Sequence, residues 1–234
     1  MCGISGWFSP DKLRPDSDSC LKRMINAISH RGPDGQGVFF SQHVALGHAR
    51  LSVIDLEKGQ QPMSLHGKIH IVFNGEIYNY QELRSMLIKK GHEFLTNSDT
   101  EVILALYAEF DTDAFTYLRG MFAIALWDDV KQRGILVRDT IGIKPLFYKV
   151  LTNGELIFAS EAKSILAREE RMQGDLDENA MHLLMNFRYL PGDLSLFKDV
   201  RQLAPGTIAQ WTANKPLQSN HFEFRNRANQ LSII

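Results

Sequence analysis

The chain has 234 residues, enough for one large domain or two small ones and ample for a buried core. Hydrophobic content of 44 %, charged content of 23 % and a net charge of −1 are ordinary for a globular protein, and nothing in that balance favours nucleic acid or a membrane surface. The two cysteines, Cys2 and Cys20, make no disulfide framework, no signal peptide opens the chain and no apolar run nears the ~20 residues of a membrane span, so a cytoplasmic, reducing setting is expected.

Ile4 to Phe8 reads as a short buried strand that ties down the N-terminus. Ser17 or Asp18 is positioned to cap a helix with Leu21, Met24, Ile25 and Ile28 on one face. The glycines and proline of His30-Arg31-Gly32-Pro33-Asp34-Gly35 force a loop, to which no chemistry is assigned. Strands are expected at Val38–Phe40 and Val44–Ile54, then a turn over Gly59–Met63. Ile69, Ile71 and Phe73 alternate with His70 and Val72 in a strand expected to stop at Asn74-Gly75.

A helix follows over about Asn79–Lys90, stopped by Gly91, and Ser98-Asp99-Thr100-Glu101 has the capping-box pattern at the head of another. After Gly120 the period becomes two. Strands are predicted through Trp127, then at Ile135–Arg138, Leu146–Val150 and Glu155–Ala159, with Asn153-Gly154 a hairpin turn. Helices over Glu161–Leu166 and Glu178–Phe187 come next, the second with Ala180, Leu183, Leu184 and Phe187 as its apolar stripe. Two short strands are expected near Gln202–Trp211, and the polar tail from Thr212 to Ile234 reads as a linker or frayed end. Many antiparallel strands with grouped helices argue for an α+β layered fold.

Cys2 carries the first chemical signal. Removal of Met1 would put a thiol and a free α-amine on one residue, and an amine of pKa about 8 can accept the proton of a thiol of similar pKa. Asn74 and Gly75 together offer a side-chain amide and a backbone N–H, the parts of an oxyanion hole. Arg50 is either a surface charge or a bidentate partner for a carboxylate. Asp99 is either a helix cap or the anion facing an ammonium group. His66 and His70 are four apart, but Gly67 and the strand pattern argue against a metal pair, and no metal is expected.

The stretches MCGISG, HRGPDGQG, LGHARLSVIDL, QQPM, FNGEIYNYQELR, NSDTEVILALY, LRGMFAIALWD, RDTIGIKPLFY and FASEAKSIL follow in order over roughly residues 1–166. A looser likeness, LAPGTIAQW, extends to about residue 211. With these motifs the sequence resembles the glutaminase domain of asparagine synthetases, within the class II glutamine amidotransferases. Thr140 stands where that family usually has proline or another residue, and this departure puts nothing catalytic in doubt.

The resemblance implies a four-layer αββα sandwich of N-terminal-nucleophile type over residues 1–211. It implies Cys2 as nucleophile and Asn74 and Gly75 as oxyanion donors. The substrate glutamine would lie against Arg50, Leu51, Ser52, Val53 and Ile54, with Glu76 beside the donors and Asp99 on the ammonium group. No cofactor is expected for glutamine hydrolysis. ATP and magnesium would serve only a synthetase domain or subunit that accepts the ammonia, and its SGGxDS-type loop does not occur in this sequence. Two other readings stay open: a non-catalytic glutamine-sensing module, and an N-terminal-nucleophile amide hydrolase with a different substrate.

Overall fold

The computed structural model describes residues 2–51, 59–168 and 175–224. Its first sheet is built on β1 (Gly3–Phe8), paired on one side with β3 (Val44–Arg50) and through it β2 (Gly35–Phe40). On its other side lie β9 (Leu156–Ala159), β8 (Phe147–Val150) and the short β10 (Arg201–Gln202). The second sheet runs from β4 (Met63–Leu65) through β5 (Ile69–Ile77), β6 (Gly120–Asp128), β7 (Arg133–Arg138) and β11 (Thr207–Thr212) to β12 (Gln218–His221). Neighbouring strands pair antiparallel in both sheets.

The period-two pattern decides the layers, because alternate side chains of a strand leave on opposite faces. In β6, Phe122, Ile124 and Leu126 join a core with α2 (Tyr80–Lys89) and α3 (Asp99–Phe110). Ala123, Ala125 and Trp127, on the other face, meet Ile4 and Phe8 of β1 and Leu46 of β3. On the far side of the first sheet, Trp7, Ala45 and Ala49 pack against Leu21, Met24 and Ile25 of α1 (Ser17–Ala27) and Ile165 of α4 (Ala162–Leu166). Helix, sheet, sheet and helix therefore stack as four layers around three apolar cores, the αββα arrangement of an α+β fold.

Several local expectations need correction. Asp16, not Ser17 or Asp18, occupies the N-cap of α1, and it makes no side-chain capping bond. The strand carrying Asn74-Gly75 runs on to Ile77, because Met121 and Gly120 of β6 continue to pair with Glu76 and Ile77. A Cβ at position 75 would lie 2.1 Å from the Met121 carbonyl oxygen, so glycine is required there by close approach to β6 and no hairpin forms. Helix α5 (Glu178–Phe187) has its predicted bounds but buries only Ala180, while Phe187 is 58 % exposed, so its stripe is not a core face. Within the polar segment after Thr212, Gln218–His221 pairs with β11, and residues 225–234 lie outside the described residues. The exposed residues of Gln218–His221 lack the apolar alternation that would mark a strand, and backbone pairing alone places them.

Candidate active site

At one end of the inter-sheet layer the apolar filling gives way to a cavity of about 270 Å³, small for a ligand pocket and of a size for a single amino acid. Cys2, Arg50, Leu51, Asn74, Gly75, Glu76 and Asp99 all line it. Two sheets supply them: β1 and β3 bring Cys2 and Arg50 from one, β5 brings Asn74, Gly75 and Glu76 from the other, and α3 closes the side with Asp99. Gly3 pairs with Ala49, so Cys2 and Arg50 flank that pair at the same end of neighbouring strands. Ser52, Val53 and Ile54 lie outside the described residues.

The Cys2 residue is held on several sides. Its Sγ donates to the Leu51 carbonyl and accepts from the Leu51 N–H, each at 3.4 Å. Its own carbonyl accepts Nε–H of Arg31 at 3.0 Å, and Nη1 of Arg31 donates to Glu161 at 2.9 Å. Two residues on, β1 is clamped by Ser160, whose N–H donates to Ile4 O and whose Oγ accepts from Ile4 N–H. Sequence reasoning treated Arg31 as part of a shaping loop and Glu161 as a helix-start charge. Only the fold shows that HRGPDG and FASE converge on the backbone of Cys2. Burial pulls the Glu161 carboxyl up, but hydrogen bonds from Arg31, Lys163 and His30 outweigh it and hold Glu161 below its usual range.

Across the cavity, the side chain of Asn74 is buried and its Nδ2 has no hydrogen-bond partner among the described residues. Such an orphaned donor normally costs free energy, and one aimed at a cavity is available to a ligand. Phe122, which faces Gly75 across the ladder, turns both its N–H and its carbonyl to Asp139. Gly75 and Phe122 therefore form a non-hydrogen-bonded pair, and the Gly75 N–H points away from β6 toward the cavity.

Asp99 is the first residue of α3, and the cap is its neighbour: Ser98 Oγ accepts the Thr100 N–H at 3.1 Å. Glu101, which the capping-box pattern would fold back on Ser98, instead accepts from Leu95 and Thr96. The Asp99 carboxylate accepts the Ile77 N–H at 3.1 Å. Burial pushes its pKa up to about 6, against the Ile77 and Thr100 N–H groups and with help from the charge of Glu76.

His48, Gln61, Met121 and Lys144 also line the cavity and were not singled out by sequence. His48 is buried, and neither ring nitrogen has a hydrogen-bond partner among the described residues. Burial pushes its pKa down to about 4; the Phe73 carbonyl opposes this without meeting hydrogen-bond geometry, and the Arg50 charge adds to it. Its spacing of two from Arg50 on one strand was the signal that could have found it, since both then face the same way.

Two antiparallel sheets between helix layers, with a cysteine at the head of a central strand facing the inter-sheet cavity, define an N-terminal-nucleophile fold. The model of the glutamine amidotransferase domain family matches residues 1–222, and the chain belongs to that family, as an enzyme domain of the class II type. It is 41 % identical over 210 residues to asparagine synthetase [glutamine-hydrolyzing] 1 of Bacillus subtilis, covering 88 % of this chain and 33 % of that protein. Over 180 residues it is 41 % identical to amidase chry2 of Gibberella zeae, covering 71 % of this chain and 26 % of that protein. Among solved structures it resembles the glutamine phosphoribosylpyrophosphate amidotransferase of B. subtilis with a TM-score of 0.70 at 17 % identity, over 96 % of this chain and 50 % of that one. The chain thus spans about a third of the length of the synthetase it matches. Among the described residues, no helix is long and apolar enough to cross a membrane.

Proposed function

We propose that this chain hydrolyses glutamine to glutamate and ammonia through a thioester on Cys2, once Met1 has been removed. The α-amine of Cys2 takes the thiol proton, and the thiolate attacks the side-chain amide carbon of glutamine. Asn74 Nδ2 and the Gly75 N–H receive the developing oxyanion. As the C–N bond breaks, the protonated α-amine returns its proton to the leaving nitrogen and ammonia departs. Water then attacks the thioester, giving glutamate and the free thiol. Arg50 holds the substrate carboxylate and Asp99 its ammonium group. His48, with a pKa near 4, is a far weaker proton acceptor than an α-amine of pKa about 8, which favours the amine as base.

The observation that carries this reading is the convergence on one cavity of a thiol, an unpartnered buried amide donor, and a cation and an anion for the two ends of an amino acid. An acylase needs no pair such as Arg50 and Asp99, and this disfavours an amide hydrolase acting on another substrate. A module that only senses glutamine has no use for a nucleophile there. The relatives named asparagine synthetase favour an acceptor domain or subunit that uses the ammonia to form an amide, and any need for ATP and magnesium belongs to it. The two cysteines, both unpaired, fit a reducing cytoplasm.

Incubation of the processed protein with L-glutamine tests the proposal. Glutamate and ammonia are expected in equal amounts from the wild type and none from Cys2→Ala. A processed wild type that releases neither would overturn it.

A further inference from the structure

We infer that Gln61 is a positioning residue for this site: its side-chain amide locks the oxyanion strand to the helix start that carries Asp99. The inference deepens the glutamine-hydrolysis reading above and rests on it.

Strand β4 covers the edge of β5 only from Ile69 to Ile71. Beyond that point the N–H groups of Phe73, Gly75 and Ile77, which share the direction set by the pairing with β6, leave the sheet on its open side. Two of the three are taken by side chains. Phe73 N–H donates to Gln61 Oε1 at 2.6 Å, and Ile77 N–H donates to Asp99 Oδ2 at 3.1 Å. Between them the Gly75 N–H is left for a substrate oxygen. The two caps thus bracket the proposed oxyanion donor by two residues on each side.

Gln61 also joins the caps to one another. Its Nε2 donates to Thr100 Oγ1 at 3.3 Å, and Thr100 follows Asp99 and gives its N–H to the Ser98 cap. The main chain of Gln61 is fixed from the other sheet: a Cβ at Gly37 in β2 would lie 1.9 Å from the Gln61 carbonyl oxygen, so only glycine allows this approach. One residue therefore reaches from β2 in the first sheet to β5 and α3 in the second. The amide is chemically suited to this, since it accepts at one atom and donates at the other on a single plane. A methionine has the length and neither function. Loss of the Phe73 cap would leave a second N–H beside Gly75, open to water and to the substrate oxygen.

The test compares Gln61→Met, Thr100→Val and the double variant, with kcat and KM for glutamine, melting temperature and amide hydrogen exchange at Phe73. Thr100→Val breaks only the tie to α3 and is expected to raise KM about fivefold, the effect of one hydrogen bond, with kcat and Phe73 exchange held. Gln61→Met breaks both ties. It is expected to show the same KM rise, a further fall in kcat of about tenfold and faster exchange at Phe73. The double variant should match Gln61→Met, because the shared bond is lost only once. Gln61→Met with wild-type kcat and KM on an active background would overturn the role of Gln61 alone, as would lowered melting temperature with unchanged kinetics. An inactive wild type would instead overturn the hydrolysis reading, and the exchange measurement would still report whether Gln61 caps Phe73.

Discussion

The space between the two sheets has two ends built from the same strands. At one end Phe8 packs against Trp127, Phe158 and Trp211 with ring centroids 5.7, 5.3 and 5.8 Å apart, and the layer is solid. At the other, the same β1 presents Cys2, β3 changes from Leu46 to His48 and Arg50, and β5 changes from Val72 to Asn74 and Glu76. There the layer is hollow and holds buried polar atoms that have no partner among the described residues. The same strands run through both ends, so the difference lies in their side chains and in the edge of β5, which β4 covers only from Ile69 to Ile71. The aromatic end stabilises the stack and fixes the separation of the sheets, and the polar end spends part of that stability on groups kept ready for a ligand.

That division is broken most severely by emptying the aromatic end. Phe8→Ala removes a fully buried ring from the junction of four aromatics and should cost about 3–5 kcal/mol of unfolding free energy, read by denaturant titration. The glutamine KM of the protein that remains folded should stay near wild type. Asn74→Ala should do the opposite. It is expected to lower kcat about 100- to 1000-fold with little change in KM, and to leave the melting temperature unchanged or raised, because an unsatisfied buried donor is removed. A pure KM effect would make Asn74 a binding residue and displace the oxyanion hole.

Asp99 gives a gentler test. Its pKa of about 6 means that the anion proposed to face the ammonium group is lost as pH falls through that value, so kcat/KM should show an acidic limb near pH 6 in addition to the limb that the Cys2 α-amine sets near about 8. For stability the sign is reversed. The folded state binds this proton more tightly than the unfolded chain, so the group's contribution is fully present below its ordinary value of 3.8 and fades as pH rises through about 6. Asp99→Asn should therefore abolish the acidic limb, raise KM at all pH values and hold or increase the melting temperature near neutrality. A lowered melting temperature with unchanged KM would return Asp99 to a structural role. The smallest effect is expected of Glu161→Gln, which weakens the hold of Arg31 on the Cys2 carbonyl: about a threefold to tenfold loss of kcat with KM held.

Much of this was legible before folding. The alternation in β6 and the apolar face of α1 marked the elements and an α+β class, while the four layers came from the family resemblance. Cys2, Arg50, Asn74, Gly75 and Asp99 could be named from residue chemistry and the family resemblance. What sequence left hidden were contacts between distant segments. Arg31 meets Glu161 across 130 positions, and Gln61 reaches Thr100 across 39. The choice between cap and ligand at Asp99 was equally closed to it, since Ser98 and Asp99 are both good N-cap residues and only the backbone says which one precedes the helix. Asn74-Gly75 misled only as to where its strand ends: the sequence stops the strand there, and pairing with β6 carries it on to Ile77.

The central claim is that the base is the α-amine of Cys2 itself, and one measurement addresses it directly. Intact mass of the N-terminus and glutaminase activity should be read on the same sample, for protein beginning at Cys2 and for protein that retains Met1 or an N-terminal extension. The account predicts turnover only from molecules whose mass begins at Cys2, with activity in proportion to their fraction. Full turnover by protein verified to carry a blocked Cys2 amine would contradict it.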